Sequence, residues 1–149
     1  MEMILFMGCQ GVGKSTFFRE RFFHTHVRVN LDMLNTRNRE RLLVAACIAM
    51  KQPFVVDNTN PTVEDRKRYF ELARDSGFKV VGYCFEATME ELLQRNGQRT
   101  GKQRVPDVGV RSTFKKFEPP TGAEGFNELF RVRVTSDGTF NVESLDCEI

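Results

Sequence analysis

The sequence predicts an α/β fold: a mainly parallel sheet flanked by helices, with a basic lid segment and a C-terminal β-hairpin. Three observations carry this. Short continuous apolar runs, of the kind found in strands covered on both faces, alternate with helix-patterned segments. Strands separated by helices need crossover connections, which run them parallel. A glycine-rich loop lies between the first apolar run and the first helix. At 149 residues the chain is expected to form one domain over 1–149, long enough to bury a proper core.

The elements follow in order. EMILFM (2–7) is a strand that stops at Gly8. KSTFFRERFF (14–23) is helical, with Phe17, Phe18, Phe22 and Phe23 expected on the core side. HVRVN (26–30) is a second strand, and a helix follows over roughly 37–51 around LLVAACIAM. FVVD (54–57) is a third strand. Pro61 and Thr62 open the next helix, with Asn60 as its cap and Tyr69, Leu72 and Ala73 at helical spacing. KVVGYCF (79–85) is a fourth strand, and Thr88-Met89-Glu90-Glu91 has the capping-box form that starts a helix. A stretch rich in glycine and arginine (95–105) precedes a helix ending near Phe117. LFRVRVT (129–135) alternates, and Asp137-Gly138 turns it back into TFNVE.

Composition narrows the function classes. The net charge is only +2, so whole-molecule charge does not mark a nucleic-acid binder. Cys9, Cys47, Cys84 and Cys147 are far apart, and neither His24 nor His26 lies near one. Metal-ligand spacing is absent and no disulfide framework is expected; Cys47 and Cys84 read as small hydrophobes. No apolar stretch reaches membrane-span length, no signal-peptide pattern is present, and DCEI at the end is not a prenylation box. The expectation is a cytoplasmic setting with no membrane partner; the oligomeric state stays open.

Chemistry is concentrated in four places. Gly8-Cys9-Gln10-Gly11-Val12-Gly13-Lys14-Ser15 satisfies G-x-x-x-x-G-K-[ST] between a strand and a helix. Main-chain N–H groups of Gly11, Val12, Gly13, Lys14, Ser15 and Thr16 are predicted to face a β-phosphate, helped by the helix's positive end. Lys14 would reach the β- and γ-oxygens and Ser15 would offer its hydroxyl to Mg²⁺. The anion is thus a nucleoside triphosphate, ATP being the first choice. Asp32 ends the second strand, on the ligand side of a parallel sheet, where a carboxylate takes the proton of an attacking hydroxyl. Asp57 ends the third strand as a Mg²⁺-ordering aspartate does, with Asn58, Thr59 and Asn60 on the same rim. Between 95 and 116 stand seven basic residues against one acidic, with Gly97 and Gly101 as hinges. Such a segment can close over a triphosphate or attract a polyanion.

Together these residues resemble the 5′-kinase domain of the polynucleotide kinase family, particularly the kinase half of polynucleotide kinase-phosphatases. The resemblance runs from Ile4 to about Phe130. It is carried by GCQGVGKST, VNLD, VVDNTNP, the ATMEELLQRN helix leading to Arg99, Val105-Pro106, and FKKFEPPTGAEGF (114–126). It implies transfer of the ATP γ-phosphate to a 5′-OH end of DNA or RNA. On that resemblance Asp32 activates the hydroxyl, Asp57 and Thr59 line the acceptor side, and Arg95 and Arg99 are lid arginines, Arg99 the one on the phosphates. Phage-type enzymes carry an arginine three residues beyond the catalytic aspartate; here that place is Asn35. TSDGT (135–139) imitates a phosphatase motif but reads as a hairpin turn, so no phosphatase domain is expected. Two other readings remain open: a P-loop kinase acting on a small-molecule hydroxyl, and a non-catalytic ATP-binding adaptor.

Overall fold

A computed structural model of the chain describes residues 1–101 and 104–145. Lys102 and Gln103 of the basic stretch, and the DCEI end with Cys147, lie outside the described residues. The elements are β1 (Glu2–Met7), α1 (Lys14–Arg21), β2 (Val27–Val29), α2 (Leu31–Leu34), α3 (Arg37–Ala49), β3 (Phe54–Val56), α4 (Val63–Ala73), β4 (Lys79–Phe85), α5 (Met89–Gly97), α6 (Asp107–Lys116), β5 (Glu128–Val134) and β6 (Phe140–Ser144). The sheet has six strands in the order β2-β3-β1-β4-β5-β6. All neighbours are parallel except β5 and β6, the hairpin that closes one edge.

Strand alternation explains the two-sided core. Met3, Leu5 and Met7 of β1 join Val44 and Cys47 of α3 and Tyr69 of α4 on one face. Ile4 and Phe6 point the other way, toward Phe17, Phe18 and Phe22, with Leu92 of α5 and Val110 of α6. That second face is aromatic: the Phe6 ring meets Phe17 and Phe85 edge-on at 5.8 and 5.0 Å. A central strand buried on both faces has to be apolar at every position, which is why β1 reads as a continuous run. Cys47 and Cys84 are buried on this core, as expected.

Three local expectations are corrected. Phe23 is 59% exposed, because α1 ends at Arg21 and the turn after it carries Phe23 off the helical stripe. Asn60 does not cap α4; Thr62 does, accepting from the Asp65 N–H at 3.1 Å. Asn60 instead sits at φ 42° and donates from Nδ2 to the Phe6 carbonyl at 2.8 Å, pinning the β3 loop to β1. Third, β2 ends at Val29 and Asp32 lies in a separate short helix, α2, capped by Asn30.

Candidate active site

The parallel order brings the C-terminal ends of β2, β3 and β1 side by side, and backbone bonds tie their loops together. The Asp57 N–H donates to Val29 O at 2.8 Å, and the Gly8 N–H donates to Thr59 O at 2.9 Å. The glycine loop, the Asp57–Asn60 rim and the turn carrying Asp32 are thus one unit. Gly13 stands at φ 105° as the N-cap of α1, a conformation an L side chain rarely adopts. That turn aims the first amides of α1 into the loop, where an anion would lie.

Lys14 folds back across the loop, its Nζ donating to Gly8 O at 2.7 Å and to Cys9 O at 2.8 Å. Burial pushes its pKa down to about 8, against the attraction of Asp57 and Cys9; Arg99 adds to the depression and Asp32 opposes it. The side chains singled out from the sequence on three separate segments therefore act electrostatically on one ammonium. Arg95 also reaches the loop: a Cβ on Gly11 would lie 3.7 Å from the Arg95 Cβ. Its guanidinium pairs with Glu91 one turn back, at 3.5 Å. Thr16 is exposed at the mouth of the loop, and Val12 is buried beneath it.

Asp57 is 2% exposed. Its Oδ2 accepts from Ser15 Oγ at 3.1 Å, which brings together the two residues expected at Mg²⁺. A third residue, absent from the sequence reading, joins them. Arg28 donates from Nε to Asp57 Oδ2 at 2.9 Å and from Nη2 to Ser15 Oγ at 3.0 Å. The signal was present in VRV, an arginine between two valines of a strand. One carboxylate and one hydroxyl, both hard oxygen donors, suit Mg²⁺, which takes few protein ligands and completes its shell with phosphate and water. No group of three or more His, Cys, Asp or Glu side chains able to hold a metal occurs among the described residues.

Asp32 is exposed on the first turn of α2, while Thr59 reaches the site through its main chain. Asn35, at the place of the phage-type arginine, closes α2 at φ 71°. Arg37 points into a buried network with Glu40 and Tyr69 instead. The base of the basic segment is fixed: Asn96, fully buried, accepts from the Val105 N–H at 3.0 Å and donates back to Val105 O. A cleft of about 400 Å³ opens between the loop and α6, with Cys9, Val12, Phe85, Phe114 and Phe117 among its walls.

FEPPTGAEGF, the most distinctive stretch of the sequence, has an architectural role. Glu124 accepts from the Nε of fully buried Arg66 at 2.8 Å, and Arg66 also donates to Asn60 O at 2.9 Å and Glu118 O at 3.0 Å. The motif thus clamps the rim loop from behind.

Comparison with known proteins gives the family. Residues 3–120 match the family described as AAA domain. The chain belongs to that family. Among curated relatives of this AAA domain is a bifunctional polynucleotide phosphatase/kinase of Schizosaccharomyces pombe, 27% identical over 137 residues, covering 88% of this chain and 33% of that protein. An L-seryl-tRNA(Sec) kinase of Methanococcus maripaludis is 25% identical over 138 residues, 79% of this chain and 53% of the relative. The AAA domain thus spans a third to a half of the length of these relatives. A gluconokinase of Sinorhizobium meliloti shares the fold, with a TM-score of 0.62 at 20% identity over 91% of this chain and 83% of its own. No helix among the described residues is long and apolar enough to cross a membrane.

Proposed function

We propose that this chain is an ATP-dependent phosphotransferase module, and more narrowly a polynucleotide 5′-hydroxyl kinase acting on 5′-OH ends of DNA or RNA. The observation that carries the reading is the convergence on Lys14. The loop lysine, the carboxylate at the end of β3, Asp32 and Arg99 share one electrostatic neighbourhood, with Asp32 exposed toward solvent. A phosphate cradle facing an accessible carboxylate is the arrangement that transfer to a hydroxyl needs. The 27% identity to a polynucleotide phosphatase/kinase supports the choice of acceptor.

In this reading the amides of residues 11–16 hold the β-phosphate, and Lys14 and Arg99 stabilise charge on the transferring group. Ser15 and Asp57 would hold Mg²⁺, which would supply positive charge to the triphosphate oxygens. Asp32 accepts the proton of the attacking 5′-hydroxyl. Thr59 lies on the acceptor side, and Arg95 supports the closing segment beside Gly11. The Phe114 ring, 41% exposed at the cleft, offers a stacking surface of the kind nucleobases use.

The test is transfer from labelled ATP to paired 5′-OH and 5′-phosphorylated DNA and RNA oligonucleotides, beside a panel of sugars and nucleosides. Label on the 5′-OH oligonucleotides alone is expected. Asp32→Asn should keep ATP binding and lose transfer by about 10²–10⁴-fold. Label confined to a metabolite, or full transfer by Asp32→Asn, overturns the reading.

A further inference from the structure

The turn that carries Asp32 cannot hold itself. α2 has four residues, Leu31–Leu34, far below the length at which a helix is stable alone. Its first-turn N–H groups need outside acceptors. Two side-chain amides supply them. Asn30 Oδ1 accepts from the Met33 N–H at 3.0 Å, and Asn58 Oδ1 accepts from the Leu31 N–H at 2.9 Å. Asp32 lies between the two tethered residues.

An asparagine presents its carbonyl oxygen to Leu31 only if its amide faces the right way, and the structure shows what decides that. The Asn58 Nδ2 donates to Glu40 Oε2 at 2.8 Å and to the Tyr69 hydroxyl at 3.2 Å. Glu40 is 2% exposed, and its carboxylate only accepts. Its Oε1 accepts from Arg37 Nη1 at 2.8 Å, and its Oε2 also accepts from the Tyr69 hydroxyl at 3.0 Å. Tyr69 spends its one proton on Glu40 and takes Arg37 Nη1 at 3.2 Å. The polar atoms that face one another in the cluster are matched, donor to acceptor. Rotating the Asn58 amide would set its oxygen against the Glu40 carboxylate and its NH₂ against the Leu31 N–H, two mismatches at once.

We infer that Glu40 is a positioning residue for phosphoryl transfer: its buried carboxylate fixes the facing of the Asn58 amide, which holds the Leu31 turn and so places Asp32. The catalytic part of this rests on the proposed function; the structural part does not. Nothing about Glu40 touches the reacting atoms. It acts through Asn58 and the backbone of α2.

The acceptor and donor roles can be exchanged between the two positions. Asn58→Asp sets two carboxylates face to face and disrupts the cluster. In Glu40→Gln with Asn58→Asp, the Gln carbonyl accepts from Arg37 and its NH₂ donates to the new carboxylate, whose other oxygen still takes the Leu31 N–H. The experiment follows Leu31 amide hydrogen exchange by NMR, with kcat and the KM for ATP measured beside it. Asn58→Asp should speed Leu31 exchange and lower kcat by about tenfold or more, with the KM for ATP within about twofold. The double variant should return both to within about threefold of the original. Glu40→Leu removes the acceptor without adding charge, and should speed Leu31 exchange as well, so the inference stays testable should Asn58→Asp not fold. Unchanged exchange in Glu40→Leu, or a double variant no better than Asn58→Asp, overturns the inference. Retained transfer in Asp32→Asn would instead sink the catalytic reading, leaving the exchange results to judge the positioning of the turn.

Discussion

Nucleotide binding should take up protons from solution at alkaline pH, because of Lys14. Its pKa is pushed from 10.5 down to about 8 by burial, only partly offset by Asp57, Cys9 and Asp32. A phosphate chain on the loop amides adds negative charge beside Nζ and returns the group to its ordinary value or above. At about pH 8.5 a lysine of pKa about 8 is roughly one-quarter protonated, and beside phosphate it is essentially fully protonated, so binding takes up about 0.75 proton. At about pH 7 the group is already roughly nine-tenths protonated, and uptake falls to about 0.1 proton. The same shift acts on folding. The unfolded chain, with its lysine at the ordinary value, binds more protons than the folded chain between about pH 8 and 10.5, so stability without nucleotide rises across that window. Calorimetric titration with ADP at both pH values, in two buffers of different ionisation enthalpy, measures the proton number. Equal uptake at the two pH values would refute the reasoning, as would undiminished uptake in Lys14→Met.

Arg28→Gln removes the guanidinium from Asp57 and Ser15, and a divalent ion no longer contends with a like charge there. Mn²⁺ affinity in the presence of ADP, read by electron paramagnetic resonance, should rise about tenfold, and an unchanged value would mean Arg28 lies outside the metal's seat. Arg66→Met leaves Glu124 as a buried carboxylate without its partner and frees the Asn60 carbonyl. Unfolding in urea should show a loss of about 3–5 kcal/mol, and a loss below about 1 kcal/mol would show that the clamp is not structural.

Features written in short local patterns were legible in the sequence. Continuous apolar runs mark strands covered on both faces, and the glycine loop falls between β1 and α1 as its pattern implies. The Thr88 capping box and the Asp137-Gly138 turn each appear where read, because each is set by residues two or three apart. Apart from Phe23, lost to the early end of α1, the failures share a different cause. α2 has no helical period to read; beside its local Asn30 cap, its Leu31 N–H is met by Asn58, distant in sequence. Asn60 has a capping residue's composition, yet the Phe6 carbonyl across the sheet outcompetes the α4 N-terminus for its side chain. Arg28 showed itself only as a charge among valines, and its partners come from two other elements. Long-range polar pairing, invisible to periodicity, built the parts of the site that were missed.

The two cations nearest the loop have opposite meanings for affinity. Lys14 rests on the Gly8 and Cys9 carbonyls, acceptors it can trade for phosphate oxygens; the exchange joins a buried charge to an opposite one. Arg28 rests on the carboxylate and hydroxyl that suit a divalent ion, and metal entry must separate an ion pair in which the Asp57 side chain is 2% exposed. Arg28 itself is 31% exposed, so it has an open path to solvent when displaced. Removing Lys14 should therefore weaken nucleotide binding, whereas removing Arg28 should strengthen metal binding. A site built only for static complementarity would lose affinity in both cases, so the opposed signs separate an exchange of partners from a simple loss of contacts.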